Sequence, residues 1–395
     1  MDIVIIANFV AELDGKYNSR FSYLAKQLAK NNDVELISSD FSHTEKVKRY
    51  NSMNSFPYKV TLLSEPGYKT NVCLKRFYSH YIWGRNIKKY LAKRKKPDVI
   101  YCAVPSLTGP WNAAKFCKKN NIRYIIDIQD LWPEAFKMIF KMPIINDIIF
   151  MPFKFIVDRI YKSADEICAV SETYVNRAFQ SNRKKIRGHI VFLGTELATF
   201  DENVRRNLIE RTDNQIWIAY CGTLGSSYDI TCVIEALYLL EKKGVKSLRF
   251  IIMGDGPKKK EFEKIAENKC VDALFTGNLP YEQMCGLLSA CDIAVNPITR
   301  SAAQSIINKH ADYAASGLPV ISTQENKEYR KLVHDYKMGI NCGSSAAKEV
   351  AEKLQKLIEN PELRIKMGKN SRKCAEEKFD RAKAYSEIVD LIIEG

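Results

Sequence analysis

Ser305-Ile306-Ile307-Asn308-Lys309-His310-Ala311-Asp312-Tyr313-Ala314-Ala315-Ser316-Gly317-Leu318-Pro319-Val320-Ile321-Ser322 reads as a loop, a short helix, a Gly-Leu-Pro turn and a buried strand. Helix handing over to apolar strand is the repeating unit of a parallel sheet. The same stretch carries chemistry. N–H groups at a helix start bind phosphate, and Lys309 adds a mobile positive charge. Asp312, nearly one turn later, is a carboxylate of the kind that accepts hydrogen bonds from ribose hydroxyls. Those three features suit a sugar nucleotide. An ordinary helix-to-strand turn with surface charges has the same pattern, so this segment alone leaves both readings open.

The alternation continues in both directions. Short apolar runs predict strands at 3–7, 34–38, 60–63, 98–104, 123–127, 166–170 and 190–193. A second set is predicted at 216–221, 248–253, 273–276, 292–296, 319–322 and 339–342. Amphipathic stretches lie between them. Strands that are apolar throughout belong to parallel sheets covered on both faces. The pattern pauses at the polar stretch 198–214, which reads as an interdomain connection. The expected fold is therefore α/β, with two doubly wound Rossmann-like domains.

At 395 residues the chain exceeds the size of one ordinary core. Charge is uneven. Residues 1–200 hold 32 Lys and Arg against 18 Asp and Glu, or +14, and the remainder 29 against 28, or +1. A basic half suits nucleic acid, an anionic membrane or a phosphorylated substrate. The run Lys88 to Lys96 reads equally as a solvated helix end. Eleven cysteines are scattered singly, without zinc spacing, as expected of buried free thiols in a reducing compartment. The apolar run at 3–7 lacks a basic leader, and no apolar stretch is long enough to span a membrane. The expectation is a cytoplasmic protein.

In open parallel sheets, ligands sit beyond the strand C-termini. Four successive strand ends in the second half carry suitable loops. Gly222-Thr223-Leu224-Gly225-Ser226-Ser227 combines a tight turn with hydroxyls. Gly254-Asp255-Gly256-Pro257 is a turn leading into a helix. Thr276-Gly277 lets a planar base lie against backbone. The segment at 305–322 is the fourth. Each alone is weak; their order carries the weight.

That order resembles the retaining glycosyltransferases of family 4, which have the GT-B fold. In the first half, Asp127-Ile128-Gln129-Asp130-Leu131-Trp132-Pro133-Glu134 and Ala164-Asp165-Glu166-Ile167-Cys168-Ala169-Val170-Ser171 resemble further segments of that family. The resemblance implies two domains facing a cleft. Residues 1–200 would bind the acceptor and 201–376 the nucleotide sugar, with a helix in 377–395 crossing back onto the first domain. Asp312 falls at the second Glu of the family's E-x7-E motif, which holds ribose hydroxyls, and Gln304 stands where the first is usual. Asn308, Lys309 and Ser305 belong to the loop that approaches the diphosphate. Gly222, Thr223 and Leu224 lie on its other side, with Gly254, Asp255 and Gly256 beside them and Thr276 and Gly277 near the base. Gln129 and Asp130 occupy the place of a His-Asp pair. Asp130 reads either as an acceptor-orienting residue or as a cap before Leu131. Gly15, Asn18 and His43 are the expected acceptor contacts. The Arg and Lys that commonly follow the Gly222 loop are absent; Ser226, Ser227, Tyr228 and Asp229 stand there.

Breaking an anomeric C–O bond builds negative charge on the leaving diphosphate, and stabilising it is the main electrostatic task. Front-face transfer, as described for the family, needs no strong protein base. No Asp-x-Asp occurs, so no metal or other cofactor is expected; Lys309 and backbone N–H groups would do that work. The expected activity is transfer of a hexosyl or N-acetylhexosaminyl group from a nucleotide sugar, UDP-sugar favoured. The expected acceptor is a saccharide or polyprenyl diphosphate-linked saccharide in surface polysaccharide synthesis, such as capsule or O-antigen. The apolar and basic stretch at 138–161 reads as an interfacial helix or as core packing, and the interfacial reading gives a peripheral place on the inner face of the cell membrane. Two rivals stand beside this. A GT-B epimerase needs acid–base carboxylates, which are sparse here. A nucleic-acid-binding protein needs aromatics among its basic residues, and the run at 88–96 has only Tyr90; no nucleic acid is expected.

Overall fold

The computed structural model describes residues 1–10, 19–50, 56–71, 73–137, 143–184, 186–300 and 306–394. The chain divides into two compact units, Met1–Phe192 with Tyr385–Gly395, and Leu193–Ala384.

The first unit holds β1 (Asp2–Ile6), β2 (Asp33–Ser39), β3 (Lys59–Leu63), β4 (Val99–Val104), β5 (Arg123–Ile128), β6 (Glu166–Ala169) and β7 (Gly188–Ile190). The second holds β8 (Ile216–Cys221), β9 (Leu248–Met253), β10 (Ala273–Gly277), β11 (Ile293–Asn296), β12 (Val320–Ser322) and β13 (Gly339–Asn341). The orders are β3-β2-β1-β4-β5-β6-β7 and β10-β9-β8-β11-β12-β13. Neighbours such as β1 and β4, or β8 and β11, run parallel. Each sheet reverses its direction of travel once, between β1 and β4 and between β8 and β11. Those are the switch points where open α/β sheets bind ligands.

Helices on both faces explain the uninterrupted apolar strands. Every residue of Val99–Val104 is buried. One charged anchor sits in this core. Arg20, at the start of helix Arg20–Leu28, meets Asp127 at 2.7 and 3.2 Å, both side chains being almost fully enclosed. Its remaining donors reach the carbonyls of Val191 and Phe192 at 2.9 and 3.1 Å. The pair fastens the first helix to β5 and to the chain leaving β7.

Helix Ser386–Glu394 belongs to the first unit. Arg123 donates to the Leu391 carbonyl at 2.7 Å, and His189 pairs with Glu387 at 2.9 Å. Residues 193–200 and 377–384 group with the second unit. There Thr195 N–H bonds Phe379 O at 2.8 Å and Arg381 N–H bonds Thr195 O at 3.0 Å, so the two stretches brace each other.

Three local readings change. The run at 190–193 contributes only Ile190 to β7, which begins at Gly188, in register with Ile167 of β6. The stretch at 198–214 is not a bare connection: helix Leu197–Arg206 buries Leu197 and Phe200. The run at 88–96 ends in a tied residue, because Arg94 pairs with Asp2 and Glu35, each at 2.5 Å. Of the stretch at 138–161, residues 138–142 lie outside the described residues, and helix Pro143–Ser163 is partly buried and partly exposed. It buries Val157, Ile160 and Tyr161 while Ile148, Ile149, Met151 and Phe155 are exposed. All eleven cysteines are free. Among the described residues, no helix is long and apolar enough to cross a membrane.

Candidate functional site

In the second unit, the loop after β8 and the helix after β11 meet at the switch point. Gly222 adopts φ +137°, and a Cβ there would lie 2.9 Å from Lys309 Nζ. Gly254 packs more tightly still, since a Cβ would come within 2.0 Å of Gly222 O. The loops after β8 and β9 interlock through Gly222 N–H to Met253 O at 2.9 Å and Leu224 N–H to Asp255 O at 2.8 Å. A backbone bridge joins Gly254 to Gly277. Three glycine-bearing strand ends thus form one rigid rim.

The helix Asn308–Ala315 is welded to that rim by Tyr313. Its hydroxyl accepts from Cys221 N–H at 2.8 Å and donates to Val295 O at 3.2 Å, joining the ends of β8 and β11. His310 stacks on Tyr329 with ring centroids 3.5 Å apart and accepts from Ile307 N–H at 3.3 Å.

Lys309 is therefore held inside, at 7% exposure. Its Nζ makes no hydrogen bond among the described residues. It lies 4.1 Å from the Tyr220 ring centroid and 3.8 Å from that of Tyr228. Burial pulls its amine down to about 7, although the Cys221 side chain opposes this. The ring faces favour the ammonium form. The result is an amine that a neighbouring anion would convert to a cation, beside the Gly222 backbone. Asp312, on the same helix, accepts from the Tyr281 hydroxyl at 2.9 Å, and Tyr281 shares a hydrogen bond with Thr195 at 2.7 Å. Burial pushes the Asp312 carboxyl up to about 6.

The other expected donor residues divide by surroundings. Thr223 and Asn308 are exposed at the rim. Leu224 is fully buried in the apolar core, so it presents no side chain to a ligand. Asp255 accepts from Gly256 N–H at 2.7 Å within its own turn. Thr276 donates to Gly277 O at 2.9 Å. Asp229, which stands where basic residues are common, caps helix Ile230–Lys242 by accepting from Cys232 N–H at 3.0 Å. Gln304, Ser305, Gly15 and Asn18 lie outside the described residues.

In the first unit, Gln129 follows β5, and its Nε2 is buried without a partner among the described residues. Asp130 turns into its own loop, accepting from Leu131 N–H at 2.9 Å and Trp132 Nε1 at 3.3 Å. Burial raises its carboxyl. His43 follows β2, with Nδ1 2.5 Å from the Tyr68 hydroxyl. Burial, then Lys46 and Arg76, pull its imidazole down to about 3.

Residues 201–374 match the family model described as "Glycosyl transferases group 1". An uncharacterized glycosyltransferase of Methanocaldococcus jannaschii is 25% identical over 241 residues, covering 59% of this chain and 60% of that protein. An alpha-D-kanosaminyltransferase of Streptomyces kanamyceticus is 24% identical over 191 residues, covering 47% of this chain and 48% of that one. The matched stretch thus spans about half to three-fifths of the length of these curated relatives. Anabaena HepE, solved in complex with UDP, superposes with a TM-score of 0.73 at 14% identity, over 100% of both chains. Both units have the Rossmann-like fold of GT-B glycosyltransferases.

The tyrosines were missed by sequence reading. Tyr220 and Tyr313 sit in apolar runs and look like core residues, which they also are. Tyr281 and Tyr228 give no local signal, because their partners lie far away in the chain.

Proposed function

We propose that the protein is a glycosyltransferase that moves a sugar, with retention, from a nucleoside diphosphate sugar to a saccharide or polyprenyl diphosphate-linked acceptor. The observation that carries this is Lys309: a buried amine without a hydrogen-bond partner among the described residues, beside the Gly222 backbone at the β8/β11 switch point. A leaving diphosphate is the partner it lacks. In this reading Asp312 holds the ribose, Thr223 and the first turn of helix Asn308–Ala315 approach the phosphates, and Gly277 faces the base. Lys309 supplies the cation that neutralises the leaving group, without a metal. The family match at 201–374 supports glycosyl transfer.

UDP is the favoured nucleotide and a hexosyl or N-acetylhexosaminyl group the favoured cargo. The acceptor belongs to surface polysaccharide synthesis at the inner face of the membrane. The exposed Ile148, Ile149, Met151 and Phe155, with exposed Lys154 among them, support contact with an anionic membrane surface. The test is stabilisation by UDP and by GDP, followed by hydrolysis of the matching nucleotide sugars with and without EDTA. Stabilisation by UDP and EDTA-resistant turnover are expected. A protein that binds neither nucleotide would overturn the proposal.

A further inference from the structure

We propose that Tyr281 and Thr195 are positioning residues that couple ribose binding at Asp312 to the paired stretches by which the chain enters and leaves the second unit. This rests on the glycosyltransferase reading, in which Asp312 holds the ribose.

The second unit begins at Leu193 and ends at Ala384. Its entry and exit run side by side. Besides the backbone bonds that join Thr195 to Phe379 and Arg381, Arg381 Nε donates to Leu193 O at 3.0 Å. Gly194 has φ +60°, and a Cβ there would lie 2.3 Å from Phe379 O, so this close approach needs glycine. Thr195 and Arg381 are both buried.

From this pair, Thr195 Oγ1 reaches the Tyr281 hydroxyl at 2.7 Å, and that hydroxyl ends on Asp312 Oδ1 at 2.9 Å. The protons run one way. An ionised carboxylate only accepts, and a phenol has a single proton. Tyr281 therefore donates to Asp312 and accepts from Thr195. Hydrogen bonds in such a chain polarise one another. Arg381 acts on the same carboxylate through charge. Burial raises the Asp312 carboxyl, and the Tyr281 bond and then the Arg381 guanidinium oppose that rise. Two separate links thus lead from Asp312 to the same paired stretches.

Tyr281 occupies Oδ1 of Asp312. Oδ2 makes no hydrogen bond among the described residues, which leaves it for a ribose hydroxyl. Opening of the paired stretches withdraws Thr195 and Arg381, and with them the support that keeps Asp312 ionised. The opened state then holds ribose less tightly, so bound ribose opposes opening. A tyrosine that served packing alone would not make the pair sensitive to what Asp312 binds.

Amide hydrogen exchange reads local opening. It is followed by mass spectrometry at 193–200 and 377–384 in the full chain at pH 7. The chain is compared alone, saturated with UDP, and saturated with 2′,3′-dideoxy-UDP. UDP should slow exchange in both stretches about tenfold, an ordinary size for coupling between sites, and the dideoxy nucleotide should slow it far less. Tyr281→Phe and Thr195→Val should lose most of the UDP effect while still binding UDP. Thr195→Ser keeps the hydroxyl and should retain the effect, which separates the relay from a loss of folding. Equal protection by the two nucleotides, or wild-type protection in Tyr281→Phe, would overturn the proposal. UDP binding without protection sinks this inference alone, whereas a chain that binds no UDP sinks the proposed function with it.

Discussion

Lys309 predicts a pH dependence whose size follows from its surroundings. The free amine titrates near 7, far below the ordinary 10.5, because it is buried. A bound diphosphate would restore the ammonium, so binding takes up a proton. Affinity should be full below pH 7 and fall as pH rises above it. The factor is one plus ten to the power of pH minus 7: about 11-fold at pH 8 and about 100-fold at pH 9. The phosphates are ionised throughout that window, since a phosphate monoester loses its second proton near 6. Facing groups do not confuse the result. Burial pushes the Cys221 thiol up to about 12, and it keeps the Tyr220 hydroxyl protonated and the His310 ring neutral. Asp312, near 6, is already ionised. Calorimetric titration with UDP at pH 8, in two buffers of different ionisation enthalpy, should report uptake of about 0.9 proton. Lys309→Met should abolish that uptake and flatten the profile. A wild-type affinity constant from pH 7 to 9 would refute the reasoning. Without ligand the signs are different. The unfolded chain binds more protons than the folded one between pH 7 and 10.5, so stability rises with pH across that interval. Lys309→Met should therefore raise the Tm at pH 7, by a stabilisation on the order of a few kcal/mol.

Asp312→Ala should weaken UDP binding about 10- to 100-fold, the worth of one or two hydrogen bonds to a charged group, yet leave a 2′,3′-dideoxy analogue unaffected; equal losses for both would refute a ribose contact. Tyr281→Phe removes the hydrogen bond that lowers the Asp312 carboxyl, whose value then rises above about 6. UDP affinity relative to wild type should drop at pH 6 to 7 and recover by pH 8.5, as read by titration at each pH. Gly254→Ala drives a Cβ toward Gly222 O, 2.0 Å away, and should destabilise the second unit by ~2 kcal/mol or more in denaturant unfolding.

The strands were legible because both sheets are covered on both faces, which turns each strand into an apolar run. The exception is informative. β7 carries Gly188 and His189, pairs only with β6, and lacks the apolar signal of a central strand. Helix Leu197–Arg206 was hidden because it buries only Leu197 and Phe200 among polar residues. At the site, glycines and Lys309 could be read because loops need particular residue types. The tyrosine cage around Lys309 could not, since Tyr220 and Tyr228 are brought to it by the β8 strand end and the loop beyond.

The first unit is discontinuous in the chain, closed by helix Ser386–Glu394 after the whole second unit has been passed. On the ribosome, Leu193–Ala384 is delivered complete before the segment that supplies Glu387 to His189 and the Leu391 carbonyl to Arg123. The earlier-made half must wait, with the β7 margin of its sheet uncovered, until those last residues emerge. Synthesis order and assembly order are thereby inverted, and a chain truncated at residue 384 would keep every residue of the second unit while lacking the closing helix of the first.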